Sequence, residues 1–145
     1  MQFFRRSIVW SFLTVLAGPA AAVELHPVDV RTGTEGLTPA PLTIANAADA
    51  PIVCVGELAH WYSAELGRAE PGTSTTIPLW FDPATGTYTA LNDKRENMPV
   101  EALWCGIAGR AYATRAVVAL ARRAGDDAPP AALTCTMGDI RLLCE

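Results

Sequence analysis

The chain predicts a mainly β fold, a small sandwich of two sheets held by two disulfides. Three observations point there. Short apolar stretches, several alternating and several β-branched, recur between clusters of turn-forming residues. Four cysteines, an even number, all follow an N-terminal stretch that reads as an export signal. No stretch beyond that leader has the length and apolarity of a membrane span. The picture leaves room for one or two short helices, over 57–66 and 111–123, where both periods fit.

The leader opens with Arg5 and Arg6, continues through an apolar run from Ser7 to Ala17, and ends on Ala20-Ala21-Ala22. A positive start, a short apolar core and small residues at the cut are the marks of a secretory signal peptide over residues 1–22. The expected exported domain is 23–145, in the periplasm or secreted, with 23–40 as an arm or edge strand. The full chain has 11 basic and 15 acidic residues, a net charge of −4. Loss of Arg5 and Arg6 with the leader takes it to −6. A net-negative domain without a basic run argues against nucleic acid as a partner.

Within the domain, Leu42 to Ala45 alternates as a strand, and Asn46, Asp49 and Pro51 break any helix behind it. The stretch 52–66 begins β-branched and is expected to run on as a strand, although a helical stripe through Val55, Leu58, Ala59 and Tyr62 is also present. Glu70-Pro71-Gly72 is a turn. Thr73 to Phe81 alternates, and Pro78 puts that strand at an edge or gives it a bulge, because proline donates no ladder hydrogen bond. Asp82-Pro83-Ala84-Thr85-Gly86 is a hairpin turn, with Thr87 to Leu91 as its return strand. Asn92 to Pro99 reads as a polar loop. Val100 to Gly106 carries the apolar Leu103-Trp104-Cys105. Ala111 to Leu120 is expected as a strand by a narrow margin over a helix capped at Gly125. Leu133–Thr136 and Ile140–Cys144 form a last hairpin around Met137-Gly138-Asp139.

The cysteines allow three pairings. We favour Cys54–Cys105, joining the central stretch to the second apolar segment, and Cys135–Cys144, closing a short loop around Gly138. Loop-closure entropy sets ceilings of about 4 and about 3 kcal/mol on what the two contribute. A zinc site is disfavoured, since no C-x-x-C or H-x-x-x-H occurs. The segment Pro71-Gly72-Thr73-Ser74-Thr75-Thr76-Ile77 and the Asp82–Gly86 turn are similar to patterns in bacterial exported sandwich domains. The succession of strands resembles the immunoglobulin and fibronectin-III manner. A bridge between Cys54 and Cys105 would then be an inter-sheet bridge, although Trp61 follows Cys54 too soon to copy the immunoglobulin arrangement.

Reactive chemistry has few carriers. His26 and His60 are the only histidines. His26 misses the first or third mature position that an amino-terminal copper site needs. His60 stands beside Trp61 and Tyr62, and the structural reading of all three is the more economical one. Facing outward, His60, Trp61 and Tyr62 would be a contact patch for an envelope protein or a carbohydrate. Ser63 lacks an evident acid to orient a base, and no G-x-S-x-G or phosphate-binding glycine pattern occurs. A copper site from Met98, Met137 and His60 has no supporting spacing. No catalytic residue, metal or cofactor is therefore assigned. The expectation is an exported, non-catalytic accessory or binding module of the cell envelope. The alternative is a small periplasmic enzyme or metal protein that uses His60. Alkylation of the denatured, unreduced mature protein should label no cysteine; two or more labelled cysteines would remove the disulfide argument.

Overall fold

The computed structural model describes residues 30–59, 62–128 and 131–145. The leader, His26, His60 and Trp61 lie outside these. Eleven strands and no helix occur among the described residues. They are β1 (Thr38–Pro39), β2 (Leu42–Asn46), β3 (Ile52–Leu58), β4 (Tyr62–Ala69), β5 (Ser74–Ile77), β6 (Leu79–Asp82), β7 (Thr87–Leu91), β8 (Asn97–Ile107), β9 (Ala116–Val117), β10 (Ala131–Met137) and β11 (Leu142–Cys144). One sheet runs β1-β6-β7-β8-β3-β4, with β9 also paired to β8. The other runs β11-β10-β2-β5. The expectation of a mainly β, two-sheet sandwich with two disulfides holds.

Alternation explains the core. Ile52, Cys54 and Leu58 of β3, and Leu103, Cys105 and Ile107 of β8, are buried against Leu42 and Ile44 of β2 and Leu142 of β11. Phe81 and Tyr88 face one another across the β6–β7 hairpin, ring centroids 5.0 Å apart. Burial raises the Tyr88 phenol above its ordinary pKa, with Arg122 opposing the shift.

Both disulfides join residues that are direct partners in antiparallel register, Cys54 with Cys105 on β3 and β8, and Cys135 with Cys144 on β10 and β11. The pairing is the favoured one. The inter-sheet expectation for Cys54–Cys105 is corrected: the bridge lies within one sheet. The two bridges nevertheless meet. The Sγ atoms of Cys105, Cys135 and Cys144 all lie within 4.8 Å of one another, so the bridge of one sheet packs on the bridge of the other. Cys54, Cys105 and Cys135 are fully buried.

Four element assignments change. The stretch 52–66 is two strands, β3 and β4, antiparallel from Ile52↔Ala69 to Leu58↔Tyr62. Its twofold alternation carried no sign of the reversal, because the apolar face continues across it. Thr73 to Phe81 divides at Pro78. There β5 closes the edge of the four-stranded sheet and β6 enters the other sheet, so the residue that cannot donate sits where the chain changes sheets. Ala111 to Leu120 is neither one strand nor a helix. Only Ala116–Val117 pairs, as β9 against Cys105 and Trp104, and 108–114 is a compact turn. Likewise Asn97 to Pro99 belongs to β8 rather than to the preceding loop. That shortened loop is built on Asn92, whose Oδ1 accepts from the N–H of Lys94 and of Glu96.

One buried polar residue organises a corner. Asn46 donates through Nδ2 to the carbonyls of Ala50 (2.9 Å) and Ala69 (3.0 Å), and its Oδ1 accepts from Ala48 N (2.9 Å). These bonds tie the end of β2 to the entry of β3 and the exit of β4. Removing the amide leaves one buried donor and two carbonyls short of a partner. Asn46→Ala should therefore cost about 2–4 kcal/mol in urea unfolding with an unchanged denaturant slope. A cost below about 0.5 kcal/mol would mean that water replaces the amide freely.

Candidate functional site

Of the three residues expected as a contact patch, only Tyr62 falls among those described. It opens β4 opposite Leu58 and is 57% exposed. Beside it lies a shallow pocket of about 220 Å³ that also touches Leu58, Leu66 and Met98. Met98 is on β8 and Met137 on β10, in different sheets.

A larger feature stands elsewhere, on the outer face of the seven-stranded sheet. Alternation along β3 turns Val55 and Glu57 away from the core. Register places Trp104 of β8 between Val55 and Val117 of β9. The indole N–H of Trp104 donates to Glu57 Oε1 (3.2 Å), and Tyr112 meets its ring edge-on with centroids 6.2 Å apart. The Arg115 guanidinium stacks 3.9 Å above the Tyr112 ring and donates to the Tyr112 carbonyl (2.8 Å). Tyr112 is thus held from both sides while its ring stays 68% exposed.

The 108–114 turn positions this tyrosine. Thr114 is buried, accepts from Ile107 N at 2.9 Å, and donates to Arg110 O at 3.1 Å. Its carbonyl accepts from Leu142 N at 2.9 Å, which fastens the turn to the other sheet. Gly106 makes the close approach possible: a Cβ there would run into the backbone of Ala111, its carbonyl oxygen first.

Between this turn and β11 lies a groove of about 640 Å³. Tyr112, Val117, Ile140 and Leu143 line it, and the last three are 72%, 78% and 49% exposed. Arg115 and Arg141 stand on its walls against a single carboxylate, Glu145. Cys144 also lines it, so one sulfur-bearing residue of the inner cluster borders the surface. Cys144 is partly buried, whereas its bridge partner Cys135 is fully buried. Chemically the groove offers apolar surface and guanidinium donors, with Cys144 at its border. A second cleft, of about 520 Å³, lies between the 31–37 arm and β6, β7 and β8. Threonines, Glu35 and Asp82 line it, and the buried Oδ1 of Asn97 has no hydrogen-bond partner there among the described residues.

Sequence reasoning identified Leu103-Trp104-Cys105 as a second apolar segment and did not place Tyr112, Val117, Ile140 or Leu143 at a surface. The available signal was Gly106 and Gly109 around Ile107-Ala108, a tight turn immediately before an aromatic residue. No family model, curated protein or solved structure matches this chain.

Gly106→Ala should lift the 108–114 turn off β8. The expected readouts are a loss of near-ultraviolet circular dichroism from the Trp104–Tyr112 pair and about 1–3 kcal/mol of stability. An unchanged aromatic spectrum would show that the turn is not seated on Gly106.

Proposed function

We propose that this chain is an exported, non-catalytic binding module of the cell envelope, periplasmic or secreted, whose partner is a polypeptide held in the groove between the 108–114 turn and β11. The observation that carries the reading is the cluster of exposed apolar side chains in one groove, Tyr112, Val117, Ile140 and Leu143. Large apolar side chains grouped in this way mark contact surfaces, whereas scattered ones are ordinary. Val117, Ile140 and Leu143 offer no stacking face, and Arg115 already covers the ring of Tyr112, which favours a polypeptide over a carbohydrate. Two arginines facing one acidic residue in the groove favour apolar residues flanked by acidic ones in the partner.

Export is supported by the leader pattern and by the two disulfides, which persist in oxidising compartments. Among the described residues no helix is long and apolar enough to cross a membrane.

Val117 and Ile140 are exposed, so Val117→Asp and Ile140→Asp should fold with nearly unchanged melting temperature. Each should lose the envelope protein that the wild-type chain retains in cross-linking from envelope extract, while Tyr62→Ala should keep it. A partner retained equally by both groove variants would overturn the groove as the contact surface.

A further inference from the structure

We propose that the Cys135–Cys144 bridge is a thiol–disulfide exchange site for a cysteine thiol brought into the groove by the bound polypeptide, with Cys105 as the internal sulfur that takes up the displaced bond. This rests on the groove reading above and adds a chemical step to it.

Three observations converge. Cys144 lines the groove, whereas its partner Cys135 is fully buried behind it. Cys105, already bonded to Cys54, has its Sγ within 4.8 Å of both Cys135 Sγ and Cys144 Sγ. Arg115 and Arg141 stand on the groove walls, where positive charge favours the thiolate form of an incoming cysteine. Buried bridges in small exported domains ordinarily serve as inert staples. Here one bridge borders a surface groove and packs directly on the other.

The chemistry balances without an outside oxidant. The partner's thiolate attacks Cys144 Sγ, forming a partner–Cys144 disulfide and expelling the Cys135 thiolate. The Cys135 thiolate attacks Cys105 Sγ, forming a Cys105–Cys135 bridge and expelling the Cys54 thiolate. That thiolate takes a proton from solvent. Two disulfides enter and two leave, so the exchange involves no net oxidation. The outcome is a covalently captured partner and a new bond between the two sheets, replacing one that lay within a single sheet. Cys54 is left as a thiol in apolar surroundings, where burial favours the protonated form and slows its return attack.

The test uses glutathione, a small thiol that needs no groove contacts, on the native oxidised protein. The reaction is quenched with acid, unfolded in denaturant, alkylated with a maleimide at mildly acidic pH and mapped by non-reducing peptide mass spectrometry. The expected products are glutathione on Cys144, a Cys105–Cys135 cross-link and an alkylated Cys54. Alkylation confined to Cys135 with Cys54–Cys105 intact would overturn the relay, as would an absence of reaction until denaturant is added. In the Cys135→Ser/Cys144→Ser variant the Cys54–Cys105 bridge should resist glutathione; opening as readily as in the wild type would also overturn it. The two readings are tested by separate measurements: the glutathione products of the wild-type chain test the exchange step, and loss of the polypeptide partner by Ile140→Asp tests the groove. Failure of the glutathione arm alone defeats the exchange step, and retention of the partner by Ile140→Asp defeats the groove.

Discussion

The packing of one disulfide on another is the contact on which the two-sheet arrangement depends. A sheet of short strands resists slippage only where side-chain pairs fix its register. Cys54–Cys105 fixes β3 against β8, and Cys135–Cys144 fixes β11 against β10. Each bridge alone would act within one sheet. Because Cys105 Sγ lies within 4.8 Å of both sulfurs of the other bridge, the fixed points also meet across the sandwich. In a chain this size the apolar core is modest, and constraints on the unfolded chain matter correspondingly more.

The connections between the sheets follow from that contact and from two backbone devices. The turn after β2 must bring the chain from one sheet to the other within a few residues. Asn46 makes this possible by supplying hydrogen bonds to backbone groups that neither ladder reaches. The chain returns to the four-stranded sheet between β4 and β5 and leaves it again at Pro78, between β5 and β6. The parallel pairing of β2 with β10, Leu42↔Ala131 through Asn46↔Cys135, then carries β11 into position over β8. A late segment of the chain is thereby placed beside an early strand, and the groove forms where β11 passes the 108–114 turn.

What the sequence made legible was local chemistry: the Asp82–Gly86 hairpin turn, the last hairpin around Gly138, and the choice of disulfide partners. The turns are decided by residues close in sequence, and among three possible pairings the short loop around Gly138 favoured Cys135–Cys144, which leaves Cys54 for Cys105. What it concealed was decided by distant neighbours. The 52–66 stretch kept one apolar alternation through a chain reversal, so its period could not distinguish one strand from two. Ala111 to Leu120 alternated well enough for a strand, yet the space beside β8 at Gly106 is taken by the 108–114 turn, which leaves room for only two paired residues. The groove was hidden for the same reason. Val117, Ile140 and Leu143 come from segments that meet only when the sheets close, and apolar residues in short strands are read as core by default.

The groove and the sulfur cluster share a single structural origin. Thr114 is bonded to β8 through Ile107 and to β11 through Leu142, so the turn that displays Tyr112 also holds the two sheets in register near the bridges. A partner pressing on Tyr112, Val117 and Leu143 therefore presses on the segment that borders Cys144. The groove wall and the strand that carries Cys144 are joined through one buried hydroxyl and one backbone hydrogen bond. Displacement of the turn would expose the face of β11 that carries the bridge. Thr114 thus joins the turn to β8 on one side and to β11, which carries Cys144, on the other.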